Sequence, residues 1–149
     1  MIFIEPETLS YIKTQAIQTF PDECCGFLFG TELADGSRKI STAREVHNAK
    51  PGDKRRRFEI TGKDYMQAEQ FALDSGLPLL GIYHSHPVHP AVPSEHDRIA
   101  AQPYFSYVIL SVVHDGVDHT RSWRLNETGS FEEEIFITEQ INQTISWQQ

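Results

Sequence analysis

Residues 79–84, Leu79-Leu80-Gly81-Ile82-Tyr83-His84, constrain the fold of this chain more than any other stretch. They are apolar at both alternating sets of positions, so as a strand they need cover on both faces, which places them centrally in a sheet. The flanking sequence supplies helices for that cover. Residues 6–20 carry Leu9, Ile12, Ala16, Ile17 and Phe20 at helical spacing behind Pro6, and Pro21 helps end the run. Residues 62–75 repeat the pattern with Tyr65, Ala68, Phe71 and Ala72, then stop at Gly76 and Pro78. Further strands are expected at 25–30 and 38–46 around the Asp35-Gly36 turn, near 58–60, at 107–113 and 120–125 around Asp115-Gly116, and at 131–137. Residues 48–54, with Pro51 and Gly52, read as loop, and the Gln-rich 140–149 as a frayed end or terminal helical turn. The alternation of helices and strands is that of an α/β chain.

Composition narrows the class. With 149 residues the chain suits one domain over 1–149. Thirteen Lys and Arg against twenty-one Asp and Glu give a net charge of −8, without the basic footprint of a nucleic-acid binder. The N-terminus has no basic segment followed by an apolar core, and no apolar run approaches the roughly 20 residues of a membrane span, so a cytoplasmic protein is expected. Cys24 and Cys25 are adjacent, which fits neither a disulfide framework nor a C-x-x-C metal site. They read as small apolar residues pointing to opposite faces of a strand.

The chemistry concentrates downstream of the apolar strand. His84-Ser85-His86-Pro87 is followed by Ser94-Glu95-His96-Asp97, with seven residues between His86 and Ser94. Side chains two apart on an extended chain share a face, so His84 and His86 can both reach one ion. A loop ending at a helix start can return Asp97 to the same ion, giving two nitrogens and one oxygen with the fourth position open, a catalytic zinc arrangement. Amide hydrolysis there also needs a carboxylate to carry a proton, and Glu23, just before an apolar strand, is the candidate.

The H-S-H-P, seven-residue gap and S-x-x-D pattern resembles the JAMM (MPN-plus) zinc metallopeptidase motif. Glu23-Cys24-Cys25-Gly26 similarly resembles that family's E-x-C-G segment. The resemblance runs from about residue 5 to 113. It implies a curved mixed sheet flanked by helices, similar to cytidine deaminases. It further implies one zinc on His84, His86 and Asp97, Glu23 as general base and acid, and Ser94 as support for the tetrahedral intermediate. The compact length is similar to the small bacterial members, which act on the C-terminus of ubiquitin-like sulfur-carrier proteins. An isopeptidase of the deubiquitinase kind, a general small zinc peptidase and a non-catalytic scaffold are the alternatives.

Plainer readings exist for the same residues. Ser94 and Asp97 also spell a helix capping box. Asp22 competes with Glu23 as the base. His89 completes H-x-H-x-x-H, but the metallo-β-lactamase pattern H-x-H-x-D-H needs an Asp where Val88 stands, and a cupin would need a Glu soon after the second His. His47, His96, His114 and His119 read as surface or hairpin residues. Lys54-Arg55-Arg56-Arg57 reads as a solvated loop or as a dock for an acidic partner, the carrier protein on the family reading.

Overall fold

The computed structural model describes residues 1–137. Residues 140–149, expected to fray, lie outside them. The elements run β1 (Ile2–Ile4), α1 (Pro6–Thr19), β2 (Cys25–Glu32), β3 (Arg38–Val46), α2 (Gly62–Ser75), β4 (Leu79–Pro87), α3 (Glu95–Ala100), β5 (Ser106–Val113), β6 (Gly116–Leu125), β7 (Phe131–Glu134) and β8 (Phe136–Ile137). They build one mixed sheet in the order β7-β6-β5-β4-β2-β3-β1-β8. The apolar strand β4 is central, antiparallel to β2 and parallel to β5. No helix among the described residues is long and apolar enough to cross a membrane.

Two apolar layers cover the sheet. Ile12 and Ala16 of α1 pack with Leu28, Leu80, Tyr83, Val108 and Leu110 on one face. Ala68, Tyr65 and Phe71 of α2 pack with Phe27, Phe29, Ile82 and Tyr107 on the other. Residues 82, 84 and 86 therefore belong to the α2 face, and 81, 83 and 85 to the α1 face.

The segment expected as a single strand at 131–137 is two short ones parted by Ile135, and they pair with opposite ends of the sheet, β7 with β6 and β8 with β1. One residue spans only about 3.8 Å per Cα step, so the two edges meet and the sheet curls almost into a barrel. Ile2 N–H donates to the Ile135 carbonyl at 2.8 Å across the seam.

Four other expectations change. Strand β1 was not anticipated, because three buried residues carry no periodicity. Residues 58–60 are not a strand: Glu59 N–H donates to Asn48 Oδ1 at 3.1 Å, and the Glu59 carbonyl accepts from Ala49 N–H at 2.9 Å. A loop thus satisfies backbone groups that a ladder would have used. Finally, β6 begins at Gly116 rather than 120, and β4 continues past His84 to Pro87.

Candidate metal centre

Strand alternation places His84 and His86 together on the α2 face, while Tyr83 and Ser85 turn to the α1 face. Tyr83 donates its hydroxyl hydrogen to Gln15 Oε1 of α1, and Ser85 Oγ accepts from Cys24 N–H at 2.8 Å. Cys25 lies opposite His84 in the β2–β4 register. Glu23, two residues ahead of β2, lines one cleft with His86, two residues further along β4. Gly26 pairs with Tyr83, and a Cβ there would run into the Tyr83 ring and the Arg44 carbonyl, which explains the glycine in Glu23-Cys24-Cys25-Gly26.

After Pro87 the chain turns at Val88, whose φ of 54° is left-handed and costs a β-branched residue about 1–3 kcal/mol. The loop then returns to α3. Ser94 Oγ accepts from Asp97 N–H at 3.0 Å, and Asp97 Oδ2 accepts from Ser94 N–H at 2.9 Å, a complete capping box. That box aims Asp97 at the histidines.

Three ligand atoms converge. His84 Nε2 and His86 Nε2 are 3.1 Å apart, and Asp97 Oδ2 lies 3.3 Å from the first and 3.1 Å from the second. A tetrahedral ion with bonds of about 2.0–2.1 Å spaces its ligands by about 3.3 Å, so this triangle fits zinc. The donor chemistry agrees. His86 Nδ1–H donates to the Pro90 carbonyl at 2.9 Å, which fixes the ring with Nε2 turned toward the Asp97 oxygen.

His84 differs from His86. Its Nδ1 is buried with no hydrogen-bond partner, and its ring stacks on Phe58 at 4.4 Å between centroids and 27° between planes. Burial keeps this histidine below its ordinary pKa, so it is neutral and ready to ligate. Burial alone would raise Asp97, but His84, His86 and the Ser94 backbone outweigh it and hold the carboxyl far below the usual range.

Glu23 is 3% exposed with one carboxylate oxygen unpartnered. Burial first, then the charges of Asp97 and Asp53, push it up to about 9. A proton-exchanging carboxylate beside a metal triangle is what amide hydrolysis needs. With Ser94, His86, Arg56, His89, Pro90 and Val92 it lines a cleft of about 480 Å³. A second, mainly apolar cleft of about 330 Å³ lies on the other flank, with His84 and Asp97 bordering Phe58, Tyr65 and Tyr107.

Ser94 can serve as both cap and donor. The cap uses a lone pair of its oxygen, whereas steadying an oxyanion uses the O–H hydrogen, which the cap leaves free. His89 lines the cleft but is outside the ligand cluster found among the described residues. His119, read from sequence as a surface or hairpin residue, accepts from Ala91 N–H at 3.0 Å and so also steadies the 88–93 loop. Cys24 and Cys25 are buried free thiols, and burial pushes Cys24 up to about 11 and Cys25 further.

Sequence reading missed Phe58 and Asn48. Buried Asn48 donates through Nδ2 to the Glu23 and Arg57 carbonyls at 3.1 and 3.0 Å, and its Oδ1 accepts from Lys50 and Glu59 N–H. No local pattern marks either residue, since both act through contacts distant in sequence.

Comparison with known proteins is consistent with this geometry. The family model described as prokaryotic homologs of the JAB domain matches residues 5–126. The chain is 31% identical over 120 residues to the desampylase of Haloferax volcanii, covering 80% of this chain and 82% of that protein. It is 27% identical over 141 residues to the CysO-cysteine peptidase of Mycobacterium tuberculosis, covering 94% and 93%. A solution structure from Desulfitobacterium hafniense superposes with a TM-score of 0.81 at 26% identity, covering 93% of both chains. One from Salinibacter ruber superposes at 0.71 with 35% identity, covering 92% and 91%.

Proposed function

Because this chain belongs to the prokaryotic JAB-domain family, we propose that it is a zinc peptidase cleaving the amide bond at the C-terminus of a ubiquitin-like sulfur-carrier protein. The observation that carries the metal is the mutual approach of His84 Nε2, His86 Nε2 and Asp97 Oδ2 within 3.3 Å. When bound there, zinc supplies Lewis acidity, polarising a carbonyl and lowering the pKa of water to about 7.

The chain's own residues do the rest. Glu23 takes a proton from the attacking water and delivers it to the departing nitrogen. Part of its raised pKa comes from the Asp97 charge, which a dication offsets, so metal loading favours the ionised form that accepts a proton. Ser94 donates its hydroxyl hydrogen to the carbonyl oxygen as negative charge builds on it. The carrier substrate is supported by relatives named desampylase and CysO-cysteine peptidase. A scaffold role is disfavoured by the names of the same relatives, and Glu23 and Ser94 line one cleft with His86.

Elemental analysis of purified protein should give about one zinc per chain, lost in His86→Ala and Asp97→Ala. Against a panel of ubiquitin-like carriers bearing C-terminal extensions, Glu23→Gln should keep the metal and lose about 10²–10⁴-fold in kcat. Retained turnover in Glu23→Gln, with loss instead in Asp22→Asn, would move the base to Asp22. Equal cleavage of short peptides and intact carriers would replace the carrier by a general peptide substrate.

A further inference from the structure

The structure assigns His119 as a positioning residue for the metal ligand His86, acting through the one peptide group that joins Pro90 to Ala91. This inference deepens the metal-site reading above and rests on it.

The connection is a run of three hydrogen bonds. His86 Nδ1 lies 2.9 Å from the Pro90 carbonyl oxygen, Ala91 N–H donates to His119 Nε2 at 3.0 Å, and His119 Nδ1 lies 2.8 Å from Asp118 Oδ2. The first two contacts fall on opposite ends of a single amide, since the Pro90 carbonyl and the Ala91 N–H share one C–N bond. Each proton position follows from the chemistry. A carbonyl only accepts, so His86 Nδ1 carries a proton, and a neutral ring then ligates through Nε2, the nitrogen at the metal triangle. A backbone N–H only donates, so His119 Nε2 is the bare nitrogen and the ring proton sits on Nδ1, facing the Asp118 carboxylate.

An amide held at both ends is polarised. Its C–N bond has partial double-bond character, so an acceptor on the N–H moves electron density toward the oxygen, which then accepts more strongly from His86. The stronger outer hydrogen bond fixes the imidazole plane and makes Nε2 a better donor to a cation. Loop anchoring alone does not require His119. Val88 N–H already donates to the Val112 carbonyl at 2.7 Å, Ser111 Oγ–H to the His89 carbonyl at 2.6 Å and Trp123 Nε1–H to the Ala91 carbonyl at 2.9 Å. None of those bonds falls on the amide that His86 uses. His84 has no comparable support, because its Nδ1 lacks a hydrogen-bond partner among the described residues. Outer hydrogen bonding of the two histidine ligands is therefore concentrated on His86.

The test observes the His86 ring directly in the full chain. Protein carrying isotope-labelled histidine is followed by NMR without metal, where the Nδ1 resonance of His86, detected through the carbon-bound ring protons, reports the strength of its bond to Pro90. Zinc affinity is then measured by chelator competition. His119→Leu should move that resonance upfield and weaken zinc about tenfold, the low end of the range for a residue outside the ligands. His119→Gln should recover most of both, because its side-chain oxygen can accept from Ala91 N–H. Asp118→Ala should act in the same direction by less, since that ion pair is largely exposed. Trp123→Phe, which frees the Ala91 carbonyl, should lower the urea midpoint and leave the His86 resonance in place. An unchanged resonance and unchanged zinc affinity in His119→Leu overturn the assignment. Equal changes in His119→Leu and Trp123→Phe overturn it too, and make His119 one more loop anchor. If the wild type binds no zinc the metal reading fails instead, and the His86 resonance in the variants still decides whether His119 acts on it.

Discussion

His84 Nδ1 lacks the outer hydrogen bond that ordinarily orients a metal-binding histidine, and Phe58 stacks on the face of its ring. The stacked ring fixes the imidazole plane instead. Phe58→Leu should weaken zinc binding about 10- to 100-fold in chelator competition without changing the fold, and Phe58→Tyr should preserve it. Wild-type affinity in Phe58→Leu would make the stack mere packing. Glu23 offers a second test at this scale, in the metal-free protein. Its folded pKa of about 9 exceeds the ordinary 4.5, so the folded state holds the proton more tightly. That contribution to stability is complete below the ordinary value and is lost as pH rises through the folded one. Urea midpoints should thus decline toward alkaline pH in wild type relative to Glu23→Gln, and parallel curves would contradict it.

Helix α3 has six residues, too short to persist on propensity alone, so its capping box decides whether Asp97 is held in place. Ser94→Ala should cost about 1 kcal/mol in denaturant unfolding and should slow hydrolysis by more than it weakens zinc, because both the cap and the free O–H disappear. Ser94→Thr should retain both. A Ser94→Ala protein as active as wild type would confine this serine to capping. The 48–59 segment works differently, since it has no regular structure and takes its shape from the four hydrogen bonds of one amide, Asn48. Both devices bring groups to β4 from elements that would not hold their form alone.

Across the whole molecule, the curled sheet is pinned at the end of β4 remote from His86. Fully buried Arg38 reaches Glu32 at 2.8 Å, the Leu80 and Tyr104 carbonyls at 2.7 Å each, and Ser106 Oγ at 3.0 Å. One guanidinium thereby joins β2, β3, β4 and the entry to β5. Arg38→Met should cost about 1–3 kcal/mol, since it leaves the buried Leu80 carbonyl and Ser106 hydroxyl without their donor. Arg38→Lys should recover little, because a single ammonium cannot match the fork. Denaturant midpoints provide the measurement, and an unchanged midpoint in Arg38→Met would show that the network adds no net stability.

The sequence by itself determined what depends on local backbone geometry. Strand alternation put His84 and His86 on one face, and the Ser94-x-x-Asp97 spacing set a cap that aims Asp97, because a period of two residues and a first helical turn are properties of a few consecutive residues. The two main helices and the central strand were legible for the same reason, through the spacing of their apolar residues. Glu23 was singled out by its place before an apolar strand and by resemblance, but no spacing rule sets a residue beside another 63 positions away. Only the pairing of β2 with β4, which delivers the segment ahead of β2, does that. Phe58 on His84, Arg56 at the cleft and the meeting of the sheet edges at Ile135 likewise belong to tertiary structure. Each depends on pairing between distant segments, whose closure is favoured only once the core has formed and which leaves no periodic trace in the chain.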